Sequence, residues 1–183
     1  MHRARHAAGA LSVARAYLSL GSNIDPERNL CAAVEALRER FGAVALSPVY
    51  RSPAVGFDGA DFLNAAAAID SDLAPAALAG WLREQEARQG RRRGEARYAS
   101  RPIDLDLLLY GDEVSEMPPL PRPELATDAF VLRPMADLAP TLRHPLLGLD
   151  LAALWARCAD TTPLTRVTLD CLTLDGATPA DAR

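Results

Sequence analysis

Ile103-Asp104-Leu105-Asp106-Leu107-Leu108-Leu109 is the stretch on which the fold turns. Ile103, Leu105, Leu107 and Leu109 alternate with other residues, and alternation at period two predicts a half-buried strand. Working back from it, Pro75 opens a helix running to about Gln89, with Leu78, Trp81 and Leu82 as its apolar stripe and Gly90 as its stop. Phe62 to Ser71 reads as another strand, although its run of alanines favours helix. Ala43 to Tyr50 is a strand before that. Leu30, Val34, Leu37 and Phe41 recur at helical spacing behind Asp25-Pro26, an N-cap followed by proline at the first helical position. Ala14 to Leu20 is the first strand, closed by the turn residues Gly21-Ser22-Asn23.

The resulting order, β-α-β-β-α-β, predicts an α+β protein: a ferredoxin-like sandwich of an antiparallel sheet with helices on one face. Extra C-terminal elements follow. Pro118 to Pro123 holds four prolines in six residues and is a loop, Phe130-Val131-Leu132 a short strand or bridge, and Asp150 to Cys158 a third helix. The expected organisation is a disordered extension over residues 1–14, a catalytic domain over 15–160, and a tail over 161–183. In that tail the spacing of Leu164, Val167 and Leu169 hints at an edge strand.

Composition narrows the function classes. The 183 residues are 49% hydrophobic and 24% charged, enough to bury a core without staples. The net charge is −4, against a general nucleic-acid coat. All 20 cations are arginine, which excludes a P-loop lysine and a Schiff-base enzyme; if phosphate is handled, arginine handles it. Cys31, Cys158 and Cys171 are odd in number and far apart, an argument against a disulfide framework or zinc site and for a reducing cytoplasm. His144, beside Pro145, is the one histidine outside the N-terminal tail and is read as a loop residue rather than a catalytic base. No apolar stretch is long enough to span a membrane. The acid-free, arginine-bearing residues 1–15 lack the apolar run of a signal peptide.

Chemistry concentrates around the decisive strand. Asp104 and Asp106, two apart, point to the face opposite Leu105, and paired hard oxygens suit magnesium. The alternative is two ordinary acids on a solvated strand face. Just upstream, residues 83–101 hold seven arginines against three acids, a local excess of four positive charges. Gly90 and Gly94 make the segment from Gly90 to Pro102 a flexible loop. Guanidinium forks grip phosphate oxygens bidentately, so a cationic loop beside a metal pair reads as a nucleotide lid. Taken alone the run is also compatible with a solvated charge cluster.

Leu20-Gly21-Ser22-Asn23, Phe62-Leu63-Asn64, Gly90-Arg91-Arg92-Arg93, Arg101-Pro102-Ile103-Asp104-Leu105-Asp106-Leu107, the proline-rich turn and Phe130-Val131-Leu132-Arg133-Pro134 occur in this order. The series, over about Arg15 to Leu154, resembles the 6-hydroxymethyl-7,8-dihydropterin pyrophosphokinases of folate biosynthesis. The resemblance implies magnesium-dependent transfer of diphosphate from ATP to the pterin hydroxyl, releasing AMP. It implies two Mg²⁺ ions on Asp104 and Asp106, and a pterin site built from Ser52, Pro53, Val55, Phe62, Asn64 and Phe130. The two phenylalanines would otherwise be read as core. It places Glu86, Arg93, Tyr98, Arg101, Leu107 and Arg122 against ATP, with Arg91, Arg93, Arg97 and Arg101 as the catalytic, phosphate-facing cations. A cytoplasmic monomer acting on small molecules, with no nucleic-acid or membrane partner, is expected.

Two positions depart from the family pattern. Pro121-Arg122-Pro123 stands where the family has Pro-His-Pro, and Asp128 where it has an arginine. At ~5 Å and an effective dielectric of ~20 one such charge is worth about 3 kcal/mol, so the reversal bears on rate. Pairing of Arg122 with Asp128 would leave a nearly neutral patch. The alternatives are a divergent paralogue that binds pterin or nucleotide with altered or weak activity and, less favoured, an RNA-binding module. The second lacks the aromatic sheet motif such modules use.

Overall fold

The computed structural model describes residues 13–92 and 99–173. The expected extension over residues 1–14 and the end of the tail lie almost wholly outside these residues. Its elements run β1 (Ala14–Ser22), α1 (Pro26–Phe41), β2 (Val44–Leu46), β3 (Val49–Ser52), β4 (Phe62–Ser71), α2 (Pro75–Arg88) and β5 (Asp104–Tyr110). After these come β6 (Ser115–Glu116), β7 (Pro119–Leu120), α3 (Glu124–Thr127), α4 (Ala129–Leu138), α5 (Leu151–Ala156), β8 (Thr165–Val167) and α6 (Asp170–Thr173). The main sheet has the order β5-β1-β4-β3-β8, with β2 also pairing to β4, and every pairing is antiparallel. β1 through β5 with α1 and α2 make the sandwich of the sequence reading with one change. The strand expected over Ala43 to Tyr50 is two, β2 and β3, so the order is β-α-β-β-β-α-β, and β8 extends the sheet beyond β3.

Both faces of the sheet are covered, which explains the alanine run. Ala65, Ala67 and Ile69 pack with α1 and α2 in one core that holds Leu18, Leu20, Leu30, Leu78 and Leu82. Ala66 faces the other core, with Leu125, Leu132, Met135 and Leu151. Small side chains hold a central strand extended where layers press from both sides, so tertiary burial overrides alanine's helical preference. Helices therefore lie on both faces, not one, because α3, α4 and α5 cover part of the second.

The structure corrects further readings. Phe130-Val131-Leu132 is the first turn of α4, not a strand or bridge, and the helix accommodates Pro134 in its interior. Leu109 does not continue the alternation. A bulge opposite Tyr17 and Leu18 inserts Leu108, so that Leu108 and Leu109 both join the second core while Leu105 and Leu107 face the first. Cys31 on α1 and Cys171 on α6 are joined in a disulfide with a sequence separation of 140. Spacing in sequence says nothing of this pairing; α6 folding back onto α1 creates it. Asp25 precedes α1 in the left-handed region, φ 42°, and its side chain makes no capping bond.

Candidate active site

The second face of the sheet is left open at the end where Asp104 and Asp106 project, and the opening is a cleft of about 790 Å³. Its floor comes from β1, β4 and β5. Gly21 lies beneath it, and a Cβ there would come within 3.3 Å of Asn64 Oδ1, so the absence of a side chain keeps the floor low. Every described residue of the sequence-predicted site lines this one cleft: Ser52, Pro53, Val55, Phe62, Asn64, Glu86, Arg91, Arg101, Asp104, Asp106, Leu107, Arg122 and Phe130. Arg93, Arg97 and Tyr98 lie outside the described residues.

The acidic centre is compensated unequally. Arg101 Nη1 donates to Asp104 Oδ2 at 2.8 Å, and Arg91 donates to both Asp104 Oδ1 and Glu86 Oε1. Asp106 has Arg122 Nη2 at 3.1 Å, and Arg122 Nε reaches Glu124 Oε2 at 3.4 Å. Burial, then the neighbouring Asp104 charge, push the Asp106 carboxyl up to about 7, with Arg122 holding back part of the rise. Burial likewise raises the Glu86 carboxyl above its ordinary range, opposed by bonds from Leu105 and Arg91. Glu86 sits near the end of α2 and accepts the Leu105 backbone N–H at 2.8 Å, clamping the helix to β5.

The expected pairing of Arg122 with Asp128 is not formed. Arg122 is engaged by Asp106 and Glu124, while Asp128 Oδ1 accepts from Thr127 Oγ1 at 2.6 Å. Asp128 still lines the cleft, so two anions, Glu124 and Asp128, stand on the Arg122 side.

Asp104 and Asp106 fit a hard cation. They share one face of β5, and 29% and 30% of their side chains remain exposed. Asp106 is undercompensated enough to favour protonation near neutrality. No group of three or more His, Cys, Asp or Glu among the described residues forms a complete metal cage. Two carboxylates completed by water and substrate oxygens are the arrangement Mg²⁺ prefers.

The aromatic half of the cleft is built on β3, β4 and α4. Asn64 is buried and its Nδ2 donates to Ser52 Oγ at 3.0 Å, fixing the amide edge at the cleft floor. Phe57 meets Phe62 edge-on with centroids 6.3 Å apart. The turn after β1 ties the flanks together: Asn23 Nδ2 donates to Ala60 O and Ser100 Oγ, both at 3.1 Å, and Asn23 Oδ1 accepts the Arg101 N–H at 2.7 Å. His144 is outside the cleft. It is buried, its Nδ1 accepts from the Leu146 and Leu147 amides at 3.3 Å, and burial lowers its pKa, so it is a neutral turn anchor.

Sequence reading missed Phe57, Arg83, Glu124, Asp160 and Thr162, which also line the cleft. Arg83 was within the arginine run. The others carry no spacing signal, since they arrive from separate loops.

Residues 17–140 match the family model for 7,8-dihydro-6-hydroxymethylpterin-pyrophosphokinase (HPPK). The 2-amino-4-hydroxy-6-hydroxymethyldihydropteridine pyrophosphokinase of Pseudomonas aeruginosa is 41% identical over 152 residues, 80% of this chain and 93% of that protein. The protein of the same name from Methylorubrum extorquens is 46% identical over 149 residues, 74% of this chain and 94% of its own. A crystal structure of Plasmodium falciparum HPPK-DHPS with pteroate aligns at a TM-score of 0.63 and 11% identity. That alignment takes in 80% of this chain but 42% of the longer one, and it establishes a shared fold. Matched along most of its length by the family model and by relatives of nearly its own size, the chain belongs to the 7,8-dihydro-6-hydroxymethylpterin-pyrophosphokinase family.

Proposed function

We propose that this chain transfers the diphosphate of ATP to the hydroxyl of 6-hydroxymethyl-7,8-dihydropterin in folate biosynthesis, forming the pterin O–Pβ bond, breaking the Pα–O–Pβ bridge and releasing AMP. The names of its relatives carry this activity. The observation that supports it most directly is one cleft lined both by a carboxylate pair engaged by arginines and by a buried amide with aromatic rings. Two Mg²⁺ ions on Asp104 and Asp106 would neutralise phosphate charge and polarise the phosphoryl oxygens.

The protein's own groups bind and orient. Arg91 and Arg101 hold Asp104 in place and bring guanidinium charge to the phosphate oxygens. Asn64, fixed by Ser52, reads the donor and acceptor edge of the pterin, and Phe62 and Phe130 enclose its ring. Pro53 and Val55 close the pterin side, and Glu86, Leu107 and Arg122 the nucleotide side. Arg93, Arg97 and Tyr98 are assigned to the lid that covers the phosphates. The enzyme acts as a monomer in the cytoplasm. No helix among the described residues is long and apolar enough to cross a membrane. In a reducing compartment Cys31 and Cys171 stand as adjacent thiols.

Glu124 and Asp128 on the nucleotide side favour the second reading, a paralogue with weak transfer. A coupled assay of AMP formation from ATP, magnesium and the reduced pterin decides. Turnover by the wild type and its near-complete loss in Asp104→Ala and Asp106→Ala are expected. Full activity in both variants would overturn the metal assignment.

A further inference from the structure

We infer that Asp160, outside the family-matched segment, is a positioning residue that sets Phe130 against the pterin by capping α4. The inference rests on the reading of Phe130 as a wall of the pterin site.

The first turn of a helix leaves backbone N–H groups without intrahelical acceptors, and a side-chain oxygen just before the helix usually supplies one. Here Asp128 stands at that place, but its side chain makes no capping bond and is engaged by Thr127 instead. The acceptor comes from far along the chain. Asp160 Oδ2 takes the Ala129 N–H at 2.7 Å. The other carboxylate oxygen, Oδ1, accepts Thr162 N at 2.8 Å and Thr162 Oγ1 at 2.6 Å, so the carboxylate is held from both ends. Those bonds outweigh burial and hold Asp160 below its ordinary pKa.

Phe130 is the next residue. Its neighbours Ala129, Val131 and Leu132 are buried, whereas Phe130 is only half-buried, packing in part against the second core and also lining the cleft. Its ring direction therefore depends on the backbone of the first turn, where a slip of one residue swings a side chain by about 100°. The far end of α4 is secured independently: Arg133 Nε donates to Tyr50 Oη at 3.2 Å, and Tyr50 Oη donates to Asp137. Asp160 and Thr162 themselves line the cleft beside Phe130.

The test measures binding of 6-hydroxymethylpterin in the presence of a non-hydrolysable ATP analogue. Asp160→Ala should weaken the pterin about tenfold, the upper range for a lost cap, and leave ATP-analogue affinity within about twofold. Asp160→Asn, which keeps an oxygen for Ala129, should recover most of it, and it carries the test if the alanine variant does not fold. Asp150→Ala removes a comparable cap, from Ala153 on α5 at 2.7 Å, and should lower stability without touching pterin affinity. In a Phe130→Ala background, itself weak for pterin, the Asp160→Ala effect should disappear. Additive effects, or equal loss of ATP-analogue binding, overturn the inference. If Phe130→Ala binds pterin normally, the reading of Phe130 itself is wrong.

Discussion

Asp106→Asn should make the ligand-free protein more stable while destroying its activity. In the folded state burial and the Asp104 charge raise the Asp106 pKa from 3.8 to about 7. At 1.36 kcal/mol per pH unit that displacement is worth about 4 kcal/mol. With 30% of the side chain exposed, solvent screening reduces it to about 2 kcal/mol. The folded state holds this proton more tightly than the unfolded chain does. The destabilisation is therefore absent well below the unfolded pKa, grows as pH rises from about 4, and is complete above about 7. Urea unfolding of wild type and variant, without magnesium or nucleotide, should show a gain of about 2 kcal/mol near pH 8, shrinking to a few tenths near pH 4. AMP formation should be lost at both. A variant no more stable at pH 8, or a difference independent of pH, would refute the claim that the two carboxylates are held together at a cost.

Two further outcomes follow from particular contacts. Arg91→Ala leaves Glu86 and Asp104 without their shared cation. It should lower kcat/KM for ATP about a hundredfold with little change in pterin affinity; equal weakening of both ligands would contradict a phosphate-side role. The Cys31–Cys171 bond closes a loop spanning 140 residues, so Cys31→Ser under oxidising conditions should lower unfolding free energy by up to about 5 kcal/mol in the chain-entropy picture. A reductant should do the same to the wild type, and an unfolding midpoint indifferent to both would show that the pair does not stabilise the fold.

Much of the site was legible because its parts sit where local rules are strong. Asp104 and Asp106 are two apart on a strand, and the sheet's alternation alone puts them on one face. Gly21 and Asn64 lie opposite one another in the pairing of β1 with β4, next to motifs the sequence displays openly. The break in alternation at Leu108 was not legible, because a bulge depends on the register of the partner strand. Phe130-Val131-Leu132 reads in sequence as a short strand or bridge, yet core contacts through Leu132, Met135 and Ala136 secure α4 there, with Pro134 in its interior. The concern over Asp128 also changed form: its charge stayed in the cleft, but Arg122 found Asp106 and Glu124 instead.

By itself, then, the amino-acid order determined most of the strand and helix succession through α2 and β5, the carboxylate pair and the arginine-rich segment, products of short-range periodicity and spacing. It also carried the motifs on which the family resemblance rests. Only the tertiary structure decided that Cys171 meets Cys31, that Asp160 caps the helix bearing Phe130, and that Arg122 lies between two acids. Each of those contacts joins segments whose approach is set by core packing and chain topology, and no local pattern records where a distant loop will come to rest.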